Sequence, residues 1–298
     1  ISPEAFEIAA FRGLTVSIGP WKDRVGPNKM GSGYCEYYDK AIAGTVMSKF
    51  QNTIATLALL FLSIPQVAAQ SNKSDDDWHF SLAPLFLWGM GIDGRTAIGP
   101  AEAPLDVEFK DALDNMDAVL TFHGEARKKD LTLFAEYQYV SLDPEAELPN
   151  GSSVDINFKN TMAELGVAYR VARFDRTDLE ILGGARYVEQ KLKAKGLPIP
   201  SLSSLSNRED WWDAFFGGRI TTRMSTHWSF IGRVDYARGG SDGTWNLVGM
   251  FDYRFRDWGS VFAGYKWMDF DYSNGSGLNR YEYDARQQGP LAGLNFYW

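Results

Sequence analysis

The 298-residue chain has little of what metal enzymes, thiol enzymes and nucleic-acid binders need. It contains one cysteine and three histidines, too few for a typical transition-metal or thiol site. It has no uninterrupted apolar run of about 18 residues, which argues against a bundle of membrane-spanning helices. Its formal net charge of -8 disfavours a general nucleic-acid binder.

What the chain does have is an excess of aromatic residues and glycine. It contains 10 Trp, 14 Tyr, 19 Phe and 29 Gly. Aromatic side chains favour strands, so this composition points to a β-rich fold. The hydrophobic fraction of 45% is that of an ordinary folded protein, which excludes a disordered or collagen-like chain.

Residues 47–69 have the pattern of a secretory signal peptide. A basic residue, Lys49, precedes the apolar run Ile54–Ile64, which is too short to span a bilayer. Small residues then occupy the two positions that a signal peptidase reads, Val67 and Ala69. We therefore expect export and cleavage after Ala69; the alternative is a buried helix of a globular core.

The segment 1–46 shows no clear periodicity and holds the only cysteine, Cys35. We expect it to be upstream sequence, non-native or disordered, with the true start at Met47; alternatively Met30 begins a longer leader. Residues 70–77 would be a short periplasmic segment. The mature chain then has no cysteine and needs no disulfide in an oxidising compartment.

Beyond residue 78 the chain alternates between apolar and polar positions. Between Ala118 and Ala126, for example, every second residue is apolar or glycine, and His123 and Glu125 lie between them. This two-residue period predicts strands whose faces meet different surroundings. The pattern recurs in nine segments: 118–126, 131–139, 161–169, 179–187, 212–220, 228–236, 245–253, 261–267 and 292–298. The run 78–90, apolar on both faces, is interpreted as a further strand.

Three features favour a transmembrane barrel over a soluble sandwich, whose strands also alternate. The segments have about the ten-residue length that a tilted strand needs to cross a membrane. Aromatic residues collect near the segment ends, as they do at a bilayer interface. At one end are Tyr139, Tyr187, Trp212, Tyr236, Trp245 and Trp267, and at the other are Tyr169, Trp228, Tyr253 and Trp298. Connections alternate between tight turns and longer loops, the latter at 91–117, 143–153, 194–210 and 273–280.

The C-terminal pattern Ala292-x-Leu294-x-Phe296-x-Trp298 carries a resemblance. With the signal peptide and the alternation, it resembles the small bacterial outer-membrane β-barrels of the porin-like superfamily, although Phe is more usual than Trp at the last position. The resemblance covers residues 78–298 and implies a location in the outer membrane of a Gram-negative cell. It further implies contact with lipid and lipopolysaccharide, and recognition of Leu294, Phe296 and Trp298 by the barrel-assembly machinery.

The predicted fold is therefore all-β: a transmembrane antiparallel up-and-down barrel that follows a cleaved signal peptide. The alternating runs give about ten strands, with eight or twelve as alternatives. The uncertain part is the long first extracellular loop, 91–117. Alternation at Leu105, Val107 and Phe109 would add a short hairpin, residues 109–116 have a helical pattern, and the loop is also able to fold inward.

Thirteen charged residues fall on the polar face of the strands, which faces the lumen of a barrel. They are Glu125, Arg127, Glu136, Glu164, Arg170, Arg186, Asp213, Arg219, Arg233, Asp235, Asp252, Arg254 and Lys266. The three glutamates fall on strands two to four, and Arg186, Arg219 and Arg233 on strands five to seven. Facing arcs of opposite charge resemble a porin constriction. The alternative is that these groups meet as ion pairs and fill a narrow barrel.

These features predict a passive protein: a narrow pore for the diffusion of small polar solutes or ions. The alternative is a plugged structural or adhesin-type barrel that acts through loops 143–153, 194–210 and 273–280. A membrane-embedded surface hydrolase is a third hypothesis. We expect no enzyme and no catalytic residue, metal, cofactor or nucleic-acid partner.

The histidine positions argue against enzymatic chemistry. Omptin proteases share the ten-strand design and use Asp and His at the extracellular rim. Here His79 and His227 map to the periplasmic end and His123 to the middle of an inner face. A wall-lining, hydrogen-bonding role for His123 is therefore favoured over a catalytic one beside Glu125.

Overall fold

The computed structural model describes residues 76–99, 101–143, 145–147, 153–199 and 202–298. The predicted upstream segment 1–46 and signal peptide 47–69 lie outside these residues. The strands are β1 His79–Ala83, β2 Phe86–Trp88, β3 Gly91–Ile98, β4 Ala101–Val107, β5 Met116–Lys128, β6 Leu131–Leu142, β7 Glu145–Glu147, β8 Ser153–Phe174, β9 Thr177–Ile199, β10 Leu202–Arg223, β11 Trp228–Gly239, β12 Gly243–Arg256, β13 Gly259–Asn274 and β14 Tyr281–Tyr297. Helix α1 spans Phe109–Asp114, and Gly277–Asn279 form a 3-10 turn.

The sheet closes on itself because β1 pairs with β5 on one side and with β14 on the other. From β5 to β14 the long strands pair in antiparallel order along the chain. Strands β1, β2 and β3 together form the first strand of the barrel, since all three pair with β14. The result is a closed antiparallel barrel of ten strands in up-and-down order, which confirms the predicted fold class. Among the described residues, no helix is both long and apolar enough to cross a bilayer.

The two faces of the barrel wall separate as the alternation predicts. Leu165 and Phe216 point outward and are 66% and 68% exposed, as suits side chains that meet lipid. Their neighbours Glu164 and Phe215 point into the lumen and are buried. One-residue alternation therefore places apolar side chains outside and most polar ones inside.

Both ends of the described barrel lie at the end that carries the tight turns. Phe80 donates its backbone N–H to the carbonyl of Trp298 over 2.9 Å, and their rings lie 5.9 Å apart. The turns 129–130, 175–176 and 257–258 lie at this end. Short turns at the end with the termini are typical of the periplasmic side of bacterial barrels.

The extracellular rim is uneven, and here the structure differs from the predicted loops. Strands β8, β9 and β10 have 22, 23 and 22 residues, whereas β11 has 12. The ladder between β10 and β11 ends at the Asp213–Gly239 pair, while β9 and β10 stay paired up to Ile199 and Leu202. The predicted loop 194–210 is therefore mostly strand. We call the extracellular part of strands β8, β9 and β10, above the level of the paired residues Glu164, Arg186 and Asp213, the protruding sheet.

The first extracellular loop contains ordered elements. Strands β3 and β4 form a hairpin whose first strand continues along β14 up to the Ile98–Tyr281 pair. Helix α1 then turns inward: its buried Ala112 packs with Val140 and Leu142. Of the possibilities that the sequence left open, the hairpin, the helix and the inward fold all occur together.

Candidate functional site

All thirteen predicted charges lie on the lumen side of the wall, and nine of them form two clusters of ion pairs. The first cluster joins Glu164, Arg186, Arg233 and Asp235. Arg186 bonds Glu164 at 2.8 Å and Asp235 at 2.7 Å, and Arg233 bonds the same two carboxylates at 2.8 and 2.7 Å. The two guanidinium groups thus alternate with the two carboxylates, and each guanidinium bonds both carboxylates. The Arg186 side chain is fully buried.

The second cluster runs across the lumen between strands that are not neighbours. Arg219 of β10 bonds Glu125 of β5 and also bonds Glu180 of β9, the latter at 2.6 Å. Arg127 of β5 reaches the same Glu180 at 2.8 Å. Strand β10 lies four strands away from β5 in the barrel, so the contact between Arg219 and Glu125 crosses the lumen.

The cluster continues through His123, whose two ring nitrogens lie 3.2 Å from Glu125 and 3.0 Å from Glu136. On the far side of the lumen, Lys266 of β13 bonds Glu136 of β6 at 3.1 Å. Its ammonium also lies 4.7 Å from the ring centre of Trp88. His123 was predicted to line the wall as a hydrogen-bonding group, and the structure places it there. Glu180 belongs to the cluster but is absent from the predicted set of lumen charges, although the period-two alternation places it on the polar face.

Aromatic rings separate the two clusters. Phe134 of β6 and Phe215 of β10 project into the lumen with their ring centres 6.1 Å apart. Arg233 lies 5.3 Å from the Phe134 ring centre and 5.4 Å from that of Phe215, and Arg186 lies 5.3 Å from Phe215. These distances suit cation–π contacts, which are strong where water is excluded.

The other four predicted residues lie outside the clusters. Asp213 accepts hydrogen bonds from the backbone and hydroxyl of Ser241 at 2.8 and 2.7 Å, and so holds the β11–β12 turn. Arg170 bonds Asp130 in the β5–β6 turn at 2.7 Å. Asp252 accepts a hydrogen bond from the hydroxyl of Ser260 on β13. The guanidinium of Arg254 lies 4.0 Å from the ring centre of Tyr297. All four stabilise turns or the periplasmic end.

A second set of contacts joins β10 and β13 at the extracellular end of the lumen. Trp211 of the protruding sheet stacks on Tyr272 of β13 with ring centres 4.0 Å apart. Glu209 accepts hydrogen bonds from the Tyr272 hydroxyl at 3.1 Å and from Asn274 at 3.0 Å. Burial raises the pKa of Tyr272 to about 12. We call this set the upper clasp; it joins two walls that β11 and β12 separate.

Leu294 and Trp298, two of the three residues of the predicted assembly signal, are exposed on the outer face of β14. Phe296, between them, pairs in register with Leu82 of β1 and stacks on Trp258 at 6.0 Å. The signal thus lies on the strand that closes the barrel. Within the described ranges, no group of His, Cys, Asp and Glu is arranged to hold a metal ion.

Comparison with known proteins gives a likeness in fold only. No family model matches the chain, and no curated protein matches it. Among solved structures, the outer membrane protease OmpT from Escherichia coli is 8% identical with a TM-score of 0.48, and the match covers 77% of this chain and 99% of that one. Ail, the attachment invasion locus protein of Yersinia pestis, is 10% identical with a TM-score of 0.33, over 74% and 97%. Neisserial surface protein A is 11% identical with a TM-score of 0.28, over 75% and 97%.

Proposed function

We propose that this outer-membrane β-barrel is sealed across its lumen and acts through its extracellular end. The observation that carries the proposal is the pairing of side chains across the lumen, between strands that are not neighbours. Arg219 reaches Glu125 across the lumen, and Lys266 reaches Glu136. A solute passing along the axis would have to separate these pairs.

The energetic cost of separating buried pairs supports a sealed state. Leaving one partner of a buried ion pair without the other costs roughly 3–5 kcal/mol. Glu164, Arg186 and Asp235 are each at most 2% exposed, so water hardly reaches a charged group that has lost its partner. A passive pore needs a path that is open without such a cost. The upper clasp adds a further closure above the two clusters.

The parts left to interact with the outside are those that project from the rim. The predicted loop regions 194–210 and 273–280 lie at the tips of the protruding sheet and of the β13–β14 hairpin. We propose that these tips carry a structural or adhesin-type function. Removing residues 194–207 and 275–280, which shortens β9 and β10 but keeps Glu209 and Asn274 of the upper clasp, would abolish surface binding and leave the barrel folded.

The test is single-channel conductance of protein refolded from Gln70 in a planar bilayer. We expect no reproducible steps from protein whose β-sheet circular dichroism and heat-dependent gel mobility show that it is folded. The matched control is Arg219→Ala/Lys266→Ala/Tyr272→Ala, because it deletes both cross-lumen cations together with the Tyr272 ring of the upper clasp and should introduce conductance.

The competing pore hypothesis has a distinct outcome in the same experiment. The charged wall of the lumen would then line a path for small polar solutes or ions. Reproducible steps from the unaltered protein, with a reversal potential that shifts in Arg186→Glu, Arg219→Glu or Arg233→Glu, would establish a pore and refute the sealed state.

We further propose that the barrel is not an enzyme. Both ring nitrogens of His123 lie against carboxylates, which leaves neither free to activate a nucleophile. Hydrolysis of ester and peptide substrates by the refolded protein should not exceed the background rate. Activity that is lost in His123→Ala would contradict this expectation.

We also propose that the barrel-assembly machinery recognises the end of β14. Leu294, Phe296 and Trp298 lie on the closing strand, where Phe296 pairs with β1. Removing the outward aromatic pattern by Phe296→Ser/Trp298→Ser should reduce the amount of folded protein in the outer membrane of cells. Normal assembly of that variant would argue against this role.

A further inference from the structure

The outward face of the protruding sheet carries a row of cations. Lys159 of β8 pairs in register with Lys191 of β9, which pairs in turn with Arg208 of β10. Like charges directly opposite each other on one face of a sheet destabilise it. Three adjacent strands therefore hold a repulsive arrangement that the stability of the fold does not explain.

The height of this cationic row relates it to the membrane. Trp212 and Tyr187 pair in register on the outer face, with ring centres 5.0 Å apart, and belong to the extracellular aromatic girdle. The next outward pair is Asp210 with Glu189, and the one after it contains Arg208. At about 3.3 Å per residue and a tilt of about 40°, the cations lie roughly 10 Å above the girdle. That position is on the solvent side of the girdle, at the polar surface of the outer leaflet.

One carboxylate draws two of the cations together. Glu189 bonds the Lys191 ammonium at 2.6 Å and the Arg208 guanidinium at 2.5 Å. The hydrogen bond from Lys191 lowers the pKa of Glu189, so the carboxylate stays ionised and keeps both contacts. Lys159 and Lys193, beside them on the same face, form no ion pair among the described residues.

The local charge balance is opposite to that of the whole chain. Four cations, Lys159, Lys191, Lys193 and Arg208, stand against the two carboxylates Glu189 and Asp210, whereas the chain carries a net charge of -8. A concentrated positive patch on an acidic protein calls for an anionic partner. Guanidinium and ammonium groups are the side chains that bind phosphate best.

We propose that this cationic row binds the phosphate groups of a lipid in the outer leaflet, namely the phosphorylated headgroup of lipopolysaccharide. The aromatic girdle below the row would contact the acyl chains of the same lipid, while Lys159, Lys191 and Arg208 contact its phosphates. The site faces the membrane and uses no lumen residue, so it stands whether or not the barrel is sealed.

The test is native mass spectrometry of the protein, refolded in detergent and titrated with bisphosphorylated lipid A. The variant Lys159→Gln/Lys191→Gln/Arg208→Gln should bind this lipid on the order of 100-fold more weakly, since each cation near an anionic lipid contributes about fivefold. The matched control Lys129→Gln/Arg176→Gln/Arg256→Gln removes the same charge at the periplasmic turns and should bind as the unaltered protein does. Lys159→Arg/Lys191→Arg should retain binding.

Three outcomes would overturn the proposal. One is unchanged binding by the glutamine variant, with its folding verified by heat-dependent gel mobility. Another is equal binding of lipid A from which both phosphates have been removed, because recognition would then come from the acyl chains alone. The third is displacement of the lipid by an equal concentration of inorganic phosphate, which would indicate a site for the free ion.

Discussion

The wall formed by β5–β11 and the wall formed by β12–β14 with β1–β3 enclose the same lumen but fill it in different ways. On the first wall, guanidinium and carboxylate groups such as Arg186 and Glu164 meet in buried pairs. On the second, Trp88, Met268 and Tyr283 belong to one apolar cluster. Lys266 is the charge of this wall that reaches across the lumen: its ammonium lies over Trp88 and bonds Glu136 on the first wall.

The two walls should lose stability in different ways when a side chain is substituted. A buried ion pair contributes little net stability as a pair, yet losing one member leaves an uncompensated charge. An apolar contact loses free energy in proportion to the volume removed. We therefore expect the charged wall to respond steeply to single substitutions and the apolar wall to respond gradually. The predictions below compare the two.

The largest effect is expected for Arg186→Met. The substitution keeps much of the side-chain volume but leaves Glu164 and Asp235 with only Arg233 as a shared partner. The free energy of unfolding should fall by roughly 3–5 kcal/mol, measured by urea titration of tryptophan fluorescence in lipid vesicles. The control is Arg176→Met in an exposed turn, expected within about 0.5 kcal/mol. A loss below about 1 kcal/mol for Arg186→Met would mean that the pairs are dispensable.

On the apolar wall, the side-chain volume that a substitution removes should decide how much the free energy of unfolding falls. Met268 is fully buried, so Met268→Ala should cost roughly 2–5 kcal/mol, whereas Met268→Leu should cost less than about 1.5 kcal/mol. The same urea titration measures both. If Met268→Leu proved as costly as Arg186→Met, the contrast between the walls would be refuted.

A smaller effect is expected at the upper clasp, where the two walls meet. Tyr272→Phe removes the hydroxyl that donates to Glu209 and keeps the ring that stacks on Trp211. The loss should be about 0.5–1.5 kcal/mol. Faster hydrogen exchange in the part of β10 that precedes Asp213, with exchange in β11 unchanged, would locate the loss at the clasp. Exchange that changed equally in both strands would contradict a local role.

A further effect concerns pH. The pKa of Tyr272 is raised to about 12, mainly by burial, whereas an unfolded tyrosine titrates near 10. Between these values the unfolded chain releases this proton and the folded chain keeps it, so the stability due to Tyr272 is full below pH 10 and is lost towards pH 12. Burial also raises the pKa of Tyr281 and Tyr283, so tyrosinate absorbance should show several tyrosines titrating late, and this late group should be one residue smaller in Tyr272→Phe. An unaltered titration curve in that variant would assign the late group elsewhere.

Much of the fold follows from local pattern, and the exceptions have physical reasons. Alternation locates the strand cores because a residue's face depends only on its position within the strand. The same rule was not enough at residues 194–210, where charged and polar residues such as Arg208 and Asp210 continue as strand above the bilayer. There the outer face meets headgroups and water, so the apolar half of the alternation disappears while the hydrogen-bonded ladder continues.

The first strand shows a second limit. Its ladder with β5 ends at the Ala83–His123 pair, just before Pro84, which has no backbone N–H to donate. The hydroxyl of Thr121 then takes over the link, accepting from the backbone N–H of Phe86 at 2.9 Å. The sequence shows the proline, but only the closed sheet brings Thr121 opposite Phe86.

Local pattern is enough to assign which side chains face lipid and which face the lumen, because that choice depends on strand parity and on the preference of apolar groups for the membrane. Which lumen charges meet depends instead on how the barrel closes. Arg219 pairs with Glu125, 94 residues away, because closure of ten tilted strands sets β10 across the lumen from β5 at a common height. The relative shift of the strands fixes that height, and it is set by the whole hydrogen-bonded sheet, not by any single segment.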